Sequence, residues 1–348
     1  MDILEKDINE IVLNCKFLKE LEKSSVLVTG STGLIGSILV KALLKNKNIK
    51  VYACYRNPDK FQSVFKNYFC DNLIPICSDI LNLDISNLNI DYIVHGASIT
   101  DSKTFVEKPV ETLNIAIDGT RNILNQCINK NIKSFVYLSS LEVYGTFNSC
   151  DEIKNVTEND AGYINTMSVR SSYSEGKRIV ENICSSYCSE YKIPIKVARL
   201  CQTFGAGVLY NDNRVFAQFA RAIIENKNII LKTKGETVRN YCYTTDAISG
   251  IITVLVKGKV GEAYNIANMK TTISIVNMAK LLCSSFQNSK TKIIFELSGD
   301  ATKLGYNPIV KLQLDSSKLE SLGWNANVSL EEAYKRLIEY MRNSRENI

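Results

Sequence analysis

Short apolar runs and stretches with apolar residues every third or fourth position take turns along the first two-thirds of the chain. "SVLVTG" (25–30) is short and β-branched, which predicts a strand, whereas "LIGSILVKALLK" (34–45) has the spacing of an amphipathic helix. "KVYACY" (50–55), "LIPICSDI" (73–80) and "YIVHGAS" (92–98) predict three further strands. A long helix, "PVETLNIAIDGTRNILNQCINK", separates them from the strand "SFVYLSS" (134–140). The helix "SSYSEGKRIVENICSSYCSEY" (171–191) and the strand "IKVARLCQTFG" (195–205) close the series. Strands alternating with helices of this length predict an α/β fold with right-handed βαβ units and a parallel, doubly wound sheet.

Past residue 205 the pattern changes: helices continue ("RVFAQFARAIIENK"), but the strand-like runs "IILK", "YCYTTDA", "AYNIAN" and "KIIFEL" are short and scattered. A first domain over 24–205 is therefore expected, followed by a smaller C-terminal lobe over 206–348 with segments that return to the first domain. Residues 1–23 form a helical extension in which Leu4, Ile8, Ile11, Val12, Phe17, Leu18 and Leu21 recur at roughly helical spacing. Its charged start differs from a signal peptide, so it is expected to pack on the body or on a partner subunit.

The 348 residues include 45% hydrophobic and 22% charged side chains, ample for a large core. No apolar run reaches the ~18 residues that cross a bilayer, so no membrane partner is expected. A net charge of +6 without an arginine-rich strip interleaved with aromatics argues against nucleic acid and suits an anionic small molecule. Eleven cysteines without a CxxC, with one distant histidine, His95, argue for free thiols in a reducing, cytoplasmic compartment and against a metal site.

Gly30, Gly33 and Gly36 form G-x-x-G-x-x-G between the first strand and the first helix, the context of a Rossmann-type dinucleotide-binding turn. Thr32, Leu34 and Ile35 complete that turn, and the helix N-terminus faces the pyrophosphate. The second strand ends in Tyr55 and Arg56, with no carboxylate until Asp59. A carboxylate there would hold the ribose hydroxyls of NAD, whereas an arginine suits a 2′-phosphate, so NADP is favoured over NAD. Asp79 and Ile80, after the third strand, are placed to meet the adenine.

Tyr173 and Lys177 stand four apart on one helix face, Ser140 ends the fifth strand, and Glu142 follows two residues later, on the same side if the chain stays extended. A tyrosinate can take a hydroxyl proton while hydride leaves the same carbon, provided that nearby cations lower its pKa. Lys177, together with a nicotinamide cation, is expected to do this, and Ser140 to bind the reacting oxygen.

With these pieces in place, the sequence resembles the extended short-chain dehydrogenase/reductases, the group of NAD(P)-dependent nucleotide-sugar epimerases and dehydratases. The glycine turn, Asp79-Ile80, "HGAS" (95–98), "YLSSLEVYG" (137–145), "RSSYSEGK" (170–177), "RLCQTFGAGV" (199–208), "RNYCYTTDA" (239–247), "AYNIAN" (263–268) and "LGW" (322–324) match in order, from about Ser24 to Met341. The resemblance implies an enzyme with Ser140, Tyr173 and Lys177 as catalytic residues, and with Ala97, Tyr173 and Lys177 against the cofactor. It implies a structural His95 in the cofactor cleft. Gln202, Arg214 and Arg239 are implied at a nucleotide-diphosphate sugar, with Asp246 following Arg239 at the usual interval. A homodimer through residues 105–130 and 171–191 is implied as well. Three features depart from the family pattern: Ala116 replaces an asparagine ahead of Gly119, with Asn114 two residues earlier; the acidic residue after the second strand is missing; and the N-terminal extension has no counterpart.

Glu142 bears on the reaction. A carboxylate at this position is found in the family's 4,6-dehydratases and UDP-glucuronate decarboxylases, whereas 4-epimerases often carry a small residue. Leu141 stands where many dehydratases place an aspartate that protonates the leaving hydroxyl. The expectation is chemistry through a 4-keto intermediate, with dehydration or decarboxylation slightly preferred. A 4-epimerase or C4 dehydrogenase/reductase is the alternative. In another class stands a non-catalytic NADP-binding redox sensor or scaffold, although such members usually lose the tyrosine or the lysine.

Overall fold

A computed structural model describes residues 2–147, 152–286, 290–297 and 309–345. Seven parallel strands form the central sheet. Five are β1 (Ser25–Thr29), β2 (Lys50–Tyr55), β3 (Leu73–Cys77), β4 (Tyr92–His95) and β5 (Ser134–Ser140). Ile195–Leu200 and Ala263–Ile266 complete the sheet, in the spatial order Ala263–Ile266, Ile195–Leu200, β5, β4, β1, β2, β3. β1 lies at the centre, with Val26 opposite both Val51 and Tyr92. The order reverses beside β1, and in such sheets ligands bind at the carboxyl ends of the strands next to that switch point.

Alternation along each strand feeds two layers. Val26 and Val28 face a core shared with the helices α1 (Ile3–Asn14) and α2 (Leu34–Leu44), while Leu27 faces the opposite layer. Helices α3 (Pro58–Phe65), α4 (Ser102–Glu107), α5 (Pro109–Cys127) and α6 (Ser172–Tyr191) follow, and α5 and α6 cover the Leu27 face with Ile115, Ile123, Leu124, Val180 and Cys184. Both faces are covered, which is why β1 reads as an unbroken apolar run.

Beyond the sheet, α7 (Val215–Glu225), α8 (Thr244–Lys257) and α9 (Ile275–Ser285) precede a C-terminal helix, Leu330–Arg345. A third core gathers Phe204, Phe216, Phe219, Tyr243, Tyr334 and Leu337, with Phe204 and Phe216 stacked at 4.9 Å. Its chain does not stay apart, because Ala263–Ile266 pairs with Ile195–Leu200 at the edge of the main sheet.

Several elements differ from the sequence reading. β3 ends at Cys77 and β4 at His95, so the residues after them are free to line a cleft. The run 195–205 breaks at Cys201, and Gln202–Phe204 leaves the sheet to pair with Tyr241–Tyr243. "YCYTTDA" is a strand only to Tyr243 and then opens α8. α3 and α4 were not foreseen, although Asn57 and Asp101 cap them by accepting the amides of Lys60 and Thr104, each at 2.9 Å.

The N-terminal helix packs Ile3, Ile8 and Ile11 into the first core. Asp7 is 1% exposed, accepts the Tyr243 hydroxyl at 2.6 Å and pairs with Arg336 at 3.0 Å; Glu10 takes the same guanidinium at 2.6 Å. Burial pushes the Asp7 carboxyl up to about 6, against the lowering effect of Tyr243 and Arg336.

Candidate active site

A cavity of about 1060 Å³ runs along the carboxyl ends of β1, β2, β4 and β5. At its centre is the glycine turn. Gly30 has φ +70°, and a Cβ there would lie 2.9 Å from the Gly96 carbonyl oxygen. A Cβ on Gly36 would come within 2.3 Å of the Gly30 oxygen, so the first turn of α2 sits directly on the loop. Gly33 is the N-cap, and no side chain caps the helix. The first-turn amides therefore point, unspent, into the cavity, a cradle suited to the pyrophosphate of a dinucleotide. Thr32, Gly33, Leu34, Ile35 and Gly36 line it, as do Arg56, Ile80 and Ala97. Asp79 does not; its carboxylate accepts the Leu81 amide at 2.9 Å and faces the Arg56 guanidinium at 3.4 Å. Tyr55, at the end of β2, stacks on Phe61 at 4.0 Å.

His95 is fully buried beneath this turn. Thr120 spends its hydroxyl proton on the Ala116 carbonyl at 2.6 Å, so it accepts from His95 Nε2 at 3.0 Å. Nδ1 then accepts from the Thr29 hydroxyl at 2.8 Å, and Thr29 Oγ1 in turn receives the Gly96 and Ala97 amides, each at 3.1 Å. Burial, assisted by Lys177, lowers the imidazole to about 3. It is a neutral tie between β1, β4 and α5, neither base nor ligand. Ala116 also lies 3.6 Å from the Cβ position of Gly176, joining α5 to α6, whereas Asn114 is exposed.

Ser140, Glu142, Tyr173 and Lys177 all border the same cavity. The chain does not remain extended after Ser140: Leu141–Tyr144 is a 3-10 turn that starts when the Ser140 hydroxyl accepts the Glu142 amide at 3.3 Å. That turn still delivers Glu142 to the cleft while sinking Leu141 to 4% exposure. Tyr173 stacks on Phe105 at 4.4 Å, and the Ser140 hydroxyl bears on its phenol. Burial pushes its phenol up to about 12; the Ser140 hydroxyl and the guanidiniums of Arg170 and Arg214 work against that rise, and Glu142 adds to it. The expected lowering by Lys177 is not met in the protein alone. Lys177 donates to the Leu138 carbonyl at 2.8 Å, its ammonium 5.7 Å from the Tyr173 ring centre, and burial lowers it to about 8.

Glu142 lies between two guanidiniums, with Arg170 Nη2 and Arg239 Nη1 each 3.8 Å from it, and Ser174 donates to it at 3.1 Å. Arg239 Nε is buried without a partner. Arg239 stands behind Glu142 and does not line the cavity, whereas Gln202 and Arg214 do. Arg214 is exposed and chelated by Asp212, with a shortest contact of 2.6 Å. Asp246 serves the frame: it accepts the amides of Asn327 at 3.1 Å and Val328 at 3.0 Å, and burial raises it to about 6. Arg170 escaped the sequence reading. Its position three residues before Tyr173 was the available signal, and its guanidinium covers the Phe105 ring at 4.9 Å. Among the described residues no group of three or more metal-ligating side chains exists, and every described cysteine is a free thiol.

A dinucleotide cradle opening onto a serine, a tyrosine and a lysine defines a nicotinamide-dependent enzyme of the short-chain dehydrogenase type. The profile of the NAD dependent epimerase/dehydratase family matches residues 26–267, and the chain belongs to that family. It is 27% identical to UDP-glucuronic acid decarboxylase 1 of Xenopus tropicalis, over 99% of this chain and 78% of that protein. It is 24% identical to dTDP-D-glucose 4,6-dehydratase of Dictyostelium discoideum, over 92% and 82%. The structure of UDP-glucuronic acid 4-epimerase from Bacillus cereus, in complex with UDP-glucuronic acid and NAD, superposes with a TM-score of 0.78 at 25% identity, covering 92% of this chain and 99% of that one.

Proposed function

We propose that this protein decarboxylates a nucleotide-diphosphate hexuronate through a 4-keto intermediate. The observation that carries the reading is Glu142 clamped between Arg170 and Arg239 beside Ser140 and Tyr173. With Arg239 behind it sharing the charge of Glu142, the Arg170 guanidinium in the cavity wall keeps cationic capacity for a second carboxylate, that of the substrate. Carbon dioxide leaves without needing a proton, which suits the buried apolar Leu141. The kinship with a UDP-glucuronic acid decarboxylase points the same way.

The bound nicotinamide would take a hydride from sugar C4 and return it. Tyr173 accepts the C4 hydroxyl proton and later gives it back, and Ser140 holds that oxygen in line. Lys177, buried at the cofactor end, supplies the positive charge that favours the phenolate. The C5–C6 bond then breaks, its electron pair passing into the C4 ketone to leave an enolate as carbon dioxide departs. C5 takes a proton from solvent before the hydride returns to C4. A second reading, 4,6-dehydration, is supported by Glu142 itself, a carboxylate bordering the cavity with Ser140 and Tyr173 that would remove the C5 proton. Gln202 and Arg214, which border the cavity, are assigned to the sugar diphosphate, and Arg214 must loosen Asp212 to serve; Arg239 must move out from behind Glu142 to join them.

NADP is the proposed cofactor, because Arg56 occupies the end of β2 and the cavity wall, and Asp79 is directed at that arginine. A homodimer is proposed through the outer faces of α5 and α6, where Val110 is 68% and Ile179 48% exposed. No helix among the described residues is long and apolar enough to cross a membrane.

The test is mass spectrometry of the products formed from a panel of nucleotide sugars with NAD or NADP. Loss of carbon dioxide from a hexuronate supports the proposal, and loss of water from a neutral hexose moves the assignment to dehydration. An unchanged mass with inverted stereochemistry would make the protein an epimerase.

A further inference from the structure

The cavity continues past the glycine turn along one face of α2. Gly33, Ser37 and Lys41 recur at four-residue spacing, share that face and all border the cavity. Lys41 lies roughly 10 Å beyond the start of the helix, and its Cα–Cβ bond tilts back toward the N-terminus. It is 6% exposed. Among the described residues its ammonium makes no hydrogen bond or ion pair, and it rests only against the rings of Tyr68 at 5.3 Å and Phe65 at 5.9 Å. Asp2 and Glu5 stand at the rim. Glu5 accepts from Lys45 at 2.9 Å and from the Tyr68 hydroxyl, and its charge and that of Asp2 reach Lys41 without an ion pair. Lys60, Lys66 and Arg56 are exposed and line the same cavity.

The stem of Lys41 is buried while its ammonium meets the cavity without a hydrogen bond, so an acceptor bound in the cavity would engage it directly. Three further cations lining the same cavity select an anion with more than one charge. We propose that Lys41, Lys60 and Arg56 form a phosphate-binding subsite at the adenosine end of the cleft, walled by the N-terminal helix. The occupant is a phosphoryl group, carried either by the 2′ position of the dinucleotide or by free phosphate. The proposal rests on the dinucleotide reading only for the first of these sources.

The test uses the whole protein, wild type and Lys41→Met, titrated calorimetrically with inorganic phosphate, NAD and NADP at constant ionic strength. Lys41→Arg, which keeps the charge, serves as the control. Lys41→Met is expected to weaken phosphate at least roughly tenfold and to leave NAD within about twofold, while Lys41→Arg retains phosphate binding. If NADP weakens in parallel and phosphate competes with NADP but not with NAD, the 2′-phosphate is the occupant. If NADP is unaffected and binds together with phosphate, the occupant is free phosphate. Equal phosphate affinity in wild type and a folded Lys41→Met would overturn the subsite. Loss of phosphate binding in Lys41→Met from a protein that binds neither dinucleotide would leave the subsite standing and remove the cofactor assignment instead.

Discussion

Tyr173 carries the sharpest prediction at the scale of single residues. Tyr173→Phe keeps the ring on Phe105 and removes the proton acceptor, so turnover should fall by about 10²–10⁴-fold while dinucleotide affinity is retained. Absorbance of reduced nicotinamide in single-turnover mixtures measures both. Glu142→Gln separates the two readings: reduced cofactor should still form, release of water should stop if Glu142 is the base at C5, and release of carbon dioxide, which needs no base there, should continue. Full product yield from that variant would reduce Glu142 to a contact residue. Tyr173, Lys177 and Ser140 were legible in the sequence because fixed helical spacing and a strand end place them. Glu142 was reached for a partly wrong reason, since a 3-10 turn and not an extended chain brings it to the cleft. Arg170 and Lys41 were illegible because their importance lies in what surrounds them, a ring and a carboxylate in one case and two rings with no hydrogen-bond acceptor in the other.

The N-terminal helix shows what sequence periodicity can and cannot tell at the scale of elements. Its apolar spacing marked a buried face, but nothing in the spacing announced that Asp7 would be buried with it. Because burial raises the Asp7 carboxyl from 3.8 to about 6, the folded state binds its proton more tightly than the unfolded chain. The stability this group contributes is therefore complete below about pH 4 and is lost as pH rises through 6. Asp7→Asn should accordingly gain on the order of 2–3 kcal/mol relative to wild type between pH 4 and pH 7, measured by denaturant unfolding. A pH-independent difference would show that Arg336 and Tyr243 compensate the charge. α3 and α4 were overlooked for a simpler reason: each is a short helix whose caps, Asn57 and Asp101, are local signals that a scan for long periodic runs passes by.

At the scale of the whole molecule the parallel sheet was readable from alternation alone, since strands buried on both faces leave continuous apolar runs. The edge strand Ala263–Ile266 was less so, because its place depends on pairing with residues more than sixty positions earlier. The proposed dimer belongs to this scale too. Ile179→Glu on the outer face of α6 should convert a dimer into a monomer in sedimentation velocity, with the central fold unchanged by circular dichroism. A wild-type monomer at micromolar concentration would remove that part of the proposal.

One further consequence follows from the solitary histidine beneath the glycine turn. The chain has a single imidazole, so selective nitrogen labelling yields one pair of ring resonances with no background. Nδ1 is tied through Thr29 to the amides of Gly96 and Ala97, and Nε2 through Thr120 to α5. Any ligand that tightens the loop against β4 must alter one nitrogen more than the other, so the ring serves as a built-in two-channel spectroscopic reporter that separates events on the cofactor side from events on the helix side.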